Sequence, residues 1–350
     1  MNEQRLQNIL SAFSGLTVAV VGDIFLDRLL IADRRLDETS VETGLTAYRI
    51  TERSCQPGAG GVVAANIISL GAKACYTIGV TGSDGEAVDL HAGLIKIGCD
   101  DRFSVAEAGR FTPTYSKLFF RDGDRLTESN RTDLIPCAPI REETEKQIIE
   151  NLLALEGRTD AIVCLEQLAQ GENGVFTPGV LNTLRVIAAR GKTRVFADSR
   201  YRLDRFRGII PKCNDNEFLR LNGIAAPFDA PLTEERAALL KAAAERFTAG
   251  TDGPAYVSVG SAGMLVFRKG DCTHVPTLRV EGPLDICGAG DSALAGIALA
   301  VCAGAAYEEA ALIGNLVAAD IVRQIGTTGT TTRDSVLENF KQYQLQRGIQ

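Results

Sequence analysis

The feature that most restricts the fold is the run "LTVAVVGD" over 16–23. An unbroken apolar run without polar alternation suits a strand covered on both faces. Helical and strand-like stretches then take turns. "GVVAANIISLGA" (61–72) reads as a helix closed by Gly71, "KACYTIGV" (73–80) as a strand, and "DGEAVDLHAGLIKIG" (84–98) as a helix ended by glycine. This alternation predicts an α/β fold with a doubly wound, mostly parallel sheet and helices on both faces.

The pattern resumes later. Residues 141–155 read as a helix, 160–166 as a strand, 177–191 as a helix with Pro178 in its first turn, 193–199 and 207–212 as strands, and 233–249 as a helix. Residues 255–270 read as strand–turn–strand, and 291–304 and 307–325 as two late helices. Two stretches, 40–58 and 109–134, break the alternation, with Thr, Tyr, Phe and Arg at near-alternate positions. They are expected to form antiparallel strands of one small β lid, while 1–39, 59–108 and 135–350 form the core. The polar N-terminus, with apolar Leu6, Ile9, Leu10 and Phe13, reads as a short helix.

Composition excludes several classes. The chain has 350 residues, 45% hydrophobic, enough for a core that needs no disulfide or metal staple. A net charge of -7 without a long basic run argues against a nucleic-acid partner. No apolar run approaches roughly 18 residues, so no membrane partner is expected. Nine scattered cysteines without a Cys-x-x-Cys pair read as reduced thiols of a cytoplasmic protein. Only His91 and His274 could supply imidazole, which disfavours a zinc site.

The chemistry is concentrated in "LDICGAGDSALAG" (284–296). Successive small residues let backbone N–H groups converge on an anion. The helix that follows places roughly half a positive charge at its N-terminus. Asp291, held there, can take a proton from an attacking hydroxyl, while the backbone of Gly288, Ala289 and Gly290 stabilises growing negative charge. The competing reading is a glycine turn with Asp291 as helix cap.

Asp-x-x-Gly-Ala-Gly-Asp before a late helix resembles the signature of the ribokinase-like (PfkB-type) carbohydrate kinases. Other segments agree in the family's order: "VVGDIFLD" (20–27), "PGAGGVVAANIISLGA" (57–72), "TIGVTGSDGEA" (77–87), "FADS" (196–199), "KCNDNE" (212–217), "SVGSAGML" (258–265) and "VAADIVRQIGT" (317–327). The resemblance spans about residues 16 to 330 and implies a ribokinase-like fold and an ATP-dependent kinase acting on a sugar or sugar phosphate. It implies Asp27 as a ligand of sugar hydroxyls, with Gly58 and Gly60 in the sugar loop. It implies Asn214 and Glu217 near the phosphates and a water-bound magnesium ion. Ser258, Gly260, Gly263 and Asn315 would surround the nucleotide, and Asp285 would lie by a monovalent cation, usually potassium. "GDIFLDRLL", "DICGAGD" and Thr112-Pro113-Thr114-Tyr115-Ser116-Lys117 look closest to the heptose-phosphate kinase branch. The nucleotidyltransferase module of bifunctional heptose enzymes is not expected to follow.

Glu166 ends a strand at the edge where open α/β sheets bind ligands, and is expected to touch the sugar. Asp23 reads as a ligand-side residue or a loop cap. Lys117, Arg121, Arg125 and Arg131 populate the lid. One or two of them, Lys117 first, would neutralise a substrate phosphate; otherwise they form a solvated basic face. Exposed lid strands favour a homodimer through the lid. Two positions depart from the family pattern: Val62 stands where the sugar loop usually has Asn, and Ile286 where many members have Thr. Gly191-Lys192-Thr193 is no P-loop, because Val186 stands where glycine is required. Gly58-Ala59-Gly60 is no dinucleotide fingerprint, because Val63 takes the third glycine's place. The rival functions are a nucleoside kinase of the same fold, a catalytically silent sugar-binding regulator and an oxidoreductase.

Overall fold

The computed structural model describes residues 1–168, 173–224, 231–247, 253–268, 270–326 and 328–348. Helix α1 (Glu3–Ala12) leads to β1 (Thr17–Gly22) and, one residue later, β2 (Ile24–Asp33). Two short strands, β3 (Glu38–Thr39) and β4 (Thr46–Ala47), precede β5 (Ile50–Ala59). Then come α2 (Gly60–Ser69), β6 (Ala74–Ile78), β7 (Val80–Thr81), α3 (Gly85–Lys96), β8 (Val105–Ala106), β9 (Thr114–Asp122) and β10 (Arg125–Leu134). The middle holds α4 (Glu142–Leu155), β11 (Ala161–Glu166), α5 (Pro178–Arg190), β12 (Arg194–Ser199), β13 (Ile210–Asn214), α6 (Asp215–Leu221) and α7 (Glu234–Phe247). The chain closes with β14 (Ala255–Ser258), β15 (Met264–Arg268), β16 (Asp271–Val275), α8 (Ala289–Cys302), α9 (Tyr307–Ile321) and α10 (Arg333–Arg347).

The main sheet has eight strands in the order β16-β15-β14-β13-β12-β11-β1-β6. From β6 to β14 every neighbouring pair is parallel, and β15 and β16 add an antiparallel edge. Alternation along β1 explains the unbroken apolar run. Val18 and Val20 join one core cluster with α1, α2, α8, α9 and α10, while Ala19 and Val21 join another with α4 to α7. The order turns at β1 and β11, so a crevice opens at the C-terminal ends of the parallel strands.

The helix signals hold locally. Thr177 caps α5 with its hydroxyl on Val180 N–H, Pro178 opens the helix, and Gly191 closes it in the left-handed region. The last residues of the helix expected over 233–249, and Thr327 of the segment 317–327, lie outside the described residues.

A second sheet has the order β10-β9-β2-β5. It contains the two expected lid segments and also residues 24–33, which the sequence reading keeps in the core. The β2–β9 pair is parallel, contrary to the all-antiparallel expectation, while β9–β10 and β2–β5 are antiparallel. The reason for the miss is local: β2 follows β1 so closely that the two apolar runs read as one element. Gly22, at φ +124°, makes the break; a Cβ there would stand 2.2 Å from the Leu165 carbonyl oxygen. The nine cysteines are free thiols. Among the described residues no helix is long and apolar enough to cross a membrane.

Gly22→Ala combines a disfavoured φ with a collision against backbone. It is expected to lower unfolding stability by about 2–4 kcal/mol. Gly15→Ala, where a Cβ meets nothing within 4 Å, should stay within about 0.5 kcal/mol of the parent. Urea midpoints of the two variants check the pair; equal midpoints would refute the strained joint.

Candidate active site

Asp291 lies in the first turn of α8, half-buried at the crevice. Gly288 caps the helix in the left-handed region at φ +77°, with the Thr328 carbonyl oxygen 2.8 Å from where a Cβ would be. The expected backbone nest needs one correction. The Ala289 N–H donates to the Ile286 carbonyl at 3.2 Å and closes the turn, so it does not face an anion. The N–H groups of Gly288, Gly290 and Asp291 have no acceptor among the described residues, as first-turn amides of a helix require from outside. Asp285 braces the loop from behind. Its two carboxylate oxygens accept the N–H groups of Cys287 and Gly326, each at 3.0 Å.

A cation missed by the sequence reading stands beside this nest. Lys212 on β13 is buried, and its ammonium lies 2.8 Å from the Asp198 carboxylate at the end of β12. A Cβ on Gly290 would approach that ammonium to 2.9 Å, so glycine lets the charge reach the turn. Burial opposes the Lys212 charge, but Asp198, Glu217 and Asp291 together raise its pKa. A lone lysine in a strand carries no spacing signal; its place in a run otherwise buried on both faces is the one hint. Burial pushes the Asp291 carboxyl up to about 7, helped by Asp198 and Glu217 and opposed by Lys212 and Arg200.

Asn214 and Glu217 cap α6 reciprocally. The Asn214 side chain accepts the Glu217 N–H at 2.8 Å, and Glu217 Oε2 accepts the Asn214 N–H at 2.9 Å. Glu217 is raised by burial and by Asp198. Among the described residues no group of three His, Cys, Asp or Glu could hold a metal ion. A single carboxylate with one oxygen outside the cap fits an ion that keeps most of its waters and takes other ligands from phosphates.

The lid presents a second set of groups. Register pairs Asp27 with Tyr115 and Leu29 with Lys117 on β9, and Lys117 with Arg131 on β10, so Asp27, Tyr115, Lys117 and Arg131 share one face. Gly58 lies directly against Asp27: a Cβ there would be 2.3 Å from Oδ2. Burial lifts Asp27 to about 6, while Lys117 and Arg131 pull it back. Arg121 is paired with Glu52, and Arg131 with Asp133 at 2.8 Å and over the Tyr115 ring at 4.4 Å. Lys117 has no hydrogen-bond partner among the described residues. The Cys287 thiol, raised by burial, feels Lys117, Asp285, Asp27 and Asp291 together, which puts lid face and nest within electrostatic reach.

Other expected residues take bracing positions. The Glu166 carboxylate accepts the Ser199 hydroxyl at 2.6 Å and pairs with Arg202 at 2.7 Å while 2% exposed, which braces the end of β11. The Asn315 amide is buried and donates to the Val275 carbonyl at 2.9 Å, within the β16–α9 contact. Gly60 starts α2 and donates its N–H to the Asp23 carbonyl at 3.0 Å. Asp23 is itself a buried anchor: its Oδ2 accepts the N–H groups of Gln167 and Leu168. Val62 is buried and offers no polar group. Ser258, Gly260 and Gly263 form the turn after β14 at the same sheet edge, with the Ser258 hydroxyl on the Cys213 carbonyl at 3.3 Å. Gln167, which the sequence reading passes over, donates its side-chain amide to Asp291 Oδ1 at 3.3 Å.

The family described as pfkB family carbohydrate kinase matches residues 17–333. A Bradyrhizobium sp. (strain ORS 278) protein named "Bifunctional protein HldE" is 32% identical over 322 residues, covering 91% of this chain and 62% of the relative. A protein of the same name from Nitrobacter hamburgensis is 31% identical over 92% of this chain and 63% of its own length. The chain thus spans somewhat under two thirds of these curated relatives. Among solved structures, Escherichia coli phosphofructokinase-2 in complex with potassium superposes with a TM-score of 0.70 at 18% identity, covering 93% of this chain and 98% of the other. Arabidopsis thaliana ribokinase complexed with ribose and ATP gives 0.67 at 19% identity, covering 93% and 99%. The family match over residues 17–333 shows that the chain belongs to the pfkB family of carbohydrate kinases.

Proposed function

We propose that the chain transfers the γ-phosphoryl group of ATP to a hydroxyl of a phosphorylated sugar, with Asp291 as general base. One observation carries this reading: a carboxylate lifted to about 7 stands beside open first-turn amides of α8 and the buried Lys212 ammonium. The acceptor oxygen attacks the γ-phosphorus, its proton passes to Asp291, and the bond to the β-phosphate oxygen breaks to release ADP. Charge on the transferring oxygens meets the N–H groups of Gly290 and Asp291 and the Lys212 ammonium, already in place before the reaction.

Asp27 orients sugar hydroxyls from the lid, with the Gly58 backbone packed behind it. Lys117, the half-buried lid cation without a hydrogen-bond partner among the described residues, suits a phosphate already on the sugar. That favours a sugar phosphate over a nucleoside, and the branch-like motifs make a heptose phosphate the first acceptor to test. The nucleotide lies along the Ser258–Gly263 turn. When bound, magnesium neutralises charge on the ATP phosphates, and Glu217, set by its cap with Asn214, would hold it through water. A potassium ion at the loop braced by Asp285 belongs to the same reading. Closing the lid excludes water and limits ATP hydrolysis.

ADP release with ATP and magnesium, screened over sugars, sugar phosphates and nucleosides, should respond most strongly to a sugar phosphate. Asp291→Asn should lower kcat by at least about 10³-fold. Full turnover in that variant would sink the base assignment, and ATP binding without turnover on any acceptor would favour a silent regulator. In the parent, kcat/KM should rise with pH through about 7, because only ionised Asp291 accepts the proton. Asp198→Asn removes a negative neighbour and should move that limb to lower pH; Lys212→Met removes a positive one and should move it higher.

The lid also exposes Val41, Leu45, Tyr48 and Ile50. We propose that a second copy covers them. Sedimentation equilibrium should then give a dimer that Val41→Lys with Leu45→Lys weakens at least 10-fold; a monomeric parent would end this part of the proposal.

A further inference from the structure

We propose that Gln167 is a positioning residue for Asp291: its side-chain amide holds Oδ1 and leaves Oδ2 to receive the proton of the acceptor hydroxyl. The inference rests on the reading of Asp291 as the base. Gln167 Nε2 lies 3.3 Å from Asp291 Oδ1, a long contact of the kind that tightens in a substrate complex. Among the described residues it is the one hydrogen-bond donor to this carboxylate.

The amide is placed by a rigid support. Gln167 directly follows β11, whose last residue Glu166 is fixed by Ser199 and Arg202. The N–H groups of Gln167 and Leu168 both donate to Asp23 Oδ2, at 2.7 and 2.8 Å. Asp23 is 3% exposed, and its own N–H is held by the Leu165 carbonyl at 2.9 Å. The Gln167 backbone is therefore secured on both sides, and its side chain reaches across to α8.

Charge alone leaves Asp291 without an orientation. Asp198 from the end of β12 and Glu217 from α6 repel it, while Lys212 from β13 and Arg200 just past β12 attract it. These forces are broad in angle. A neutral amide adds direction without adding a counter-charge that would silence the base.

The test uses the full chain with ATP, magnesium and the best acceptor from the screen. Gln167→Met keeps the length and removes the donor. Its kcat should fall about 10- to 100-fold, with KM changed less than about threefold and the acid limb of kcat/KM moved to higher pH, because the ionised form loses a donor. Gln167→Glu keeps the shape and adds a like charge, so its limb should move further the same way. It carries the test should the Met variant fail to fold. A parent-like kcat and limb in both variants would overturn the proposal. So would a raised KM with kcat and limb unchanged, which would make Gln167 a sugar contact. Asp291→Asn separates the two layers: activity retained there defeats the base reading itself, whereas activity lost there and kept in the Gln167 variants defeats the positioning role alone.

Discussion

The arrangement hangs on one buried carboxylate. Asp23 sits in the single-residue joint between β1 and β2, where the chain leaves one sheet for the other. Its side chain holds two amides of the loop after β11, its carbonyl takes the first N–H of α2, and its N–H is taken by Leu165. Burial lifts its pKa to about 6, against the pull of the Leu168 and Gln167 amides. Hydrogen bonds to a charged group contribute about 1.5–3 kcal/mol each, and here they offset part of the desolvation while fixing the side chain's direction. The two sheets, α2 and the loop after β11 all meet at this residue.

From that joint outward, the crevice is a deliberate crowding of like charges. Asp198, Glu217 and Asp291 converge on the buried Lys212 ammonium, with Arg200 a further cation acting on Asp291. A buried ion pair adds little net stability, because two desolvated ions offset most of their attraction, yet losing one partner costs about 3–5 kcal/mol. In the proposed reaction, a cation fixed beside open amides would meet an incoming phosphate without reorganising. Gly290 belongs to the same device, since any side chain there would push the ammonium away.

The sequence made the main sheet legible because its parallel strands are apolar on both faces and its helices carry caps and closing glycines. Gly288 and Asp291 were legible because small residues ahead of a helix have few other uses. The second sheet was only half legible. β9 and β10 alternate openly, but β2 is largely apolar and follows β1 across Gly22-Asp23 alone, a break that does not announce a change of sheet. Lys212, Asp198 and Gln167 come from three separate strand ends, and no linear spacing relates them. Glu166 and Asn315 carry bracing contacts, to Ser199 and Arg202 and to the Val275 carbonyl, that only their spatial neighbours reveal. Ala289 shows the same at the scale of one N–H, where a turn hydrogen bond claimed a donor that the motif alone seemed to leave open.

The placement of β2 reaches beyond topology. Asp27 is carried by this strand, on the face shared with Lys117, and so is mounted on the cover of the crevice and not on its wall. In the proposed reaction the two sheets are the jaws of a clamp whose upper jaw bears the teeth. The groups proposed to grip the sugar and the strands proposed to cover it are then one piece, joined to the core sheet through residues 22–24.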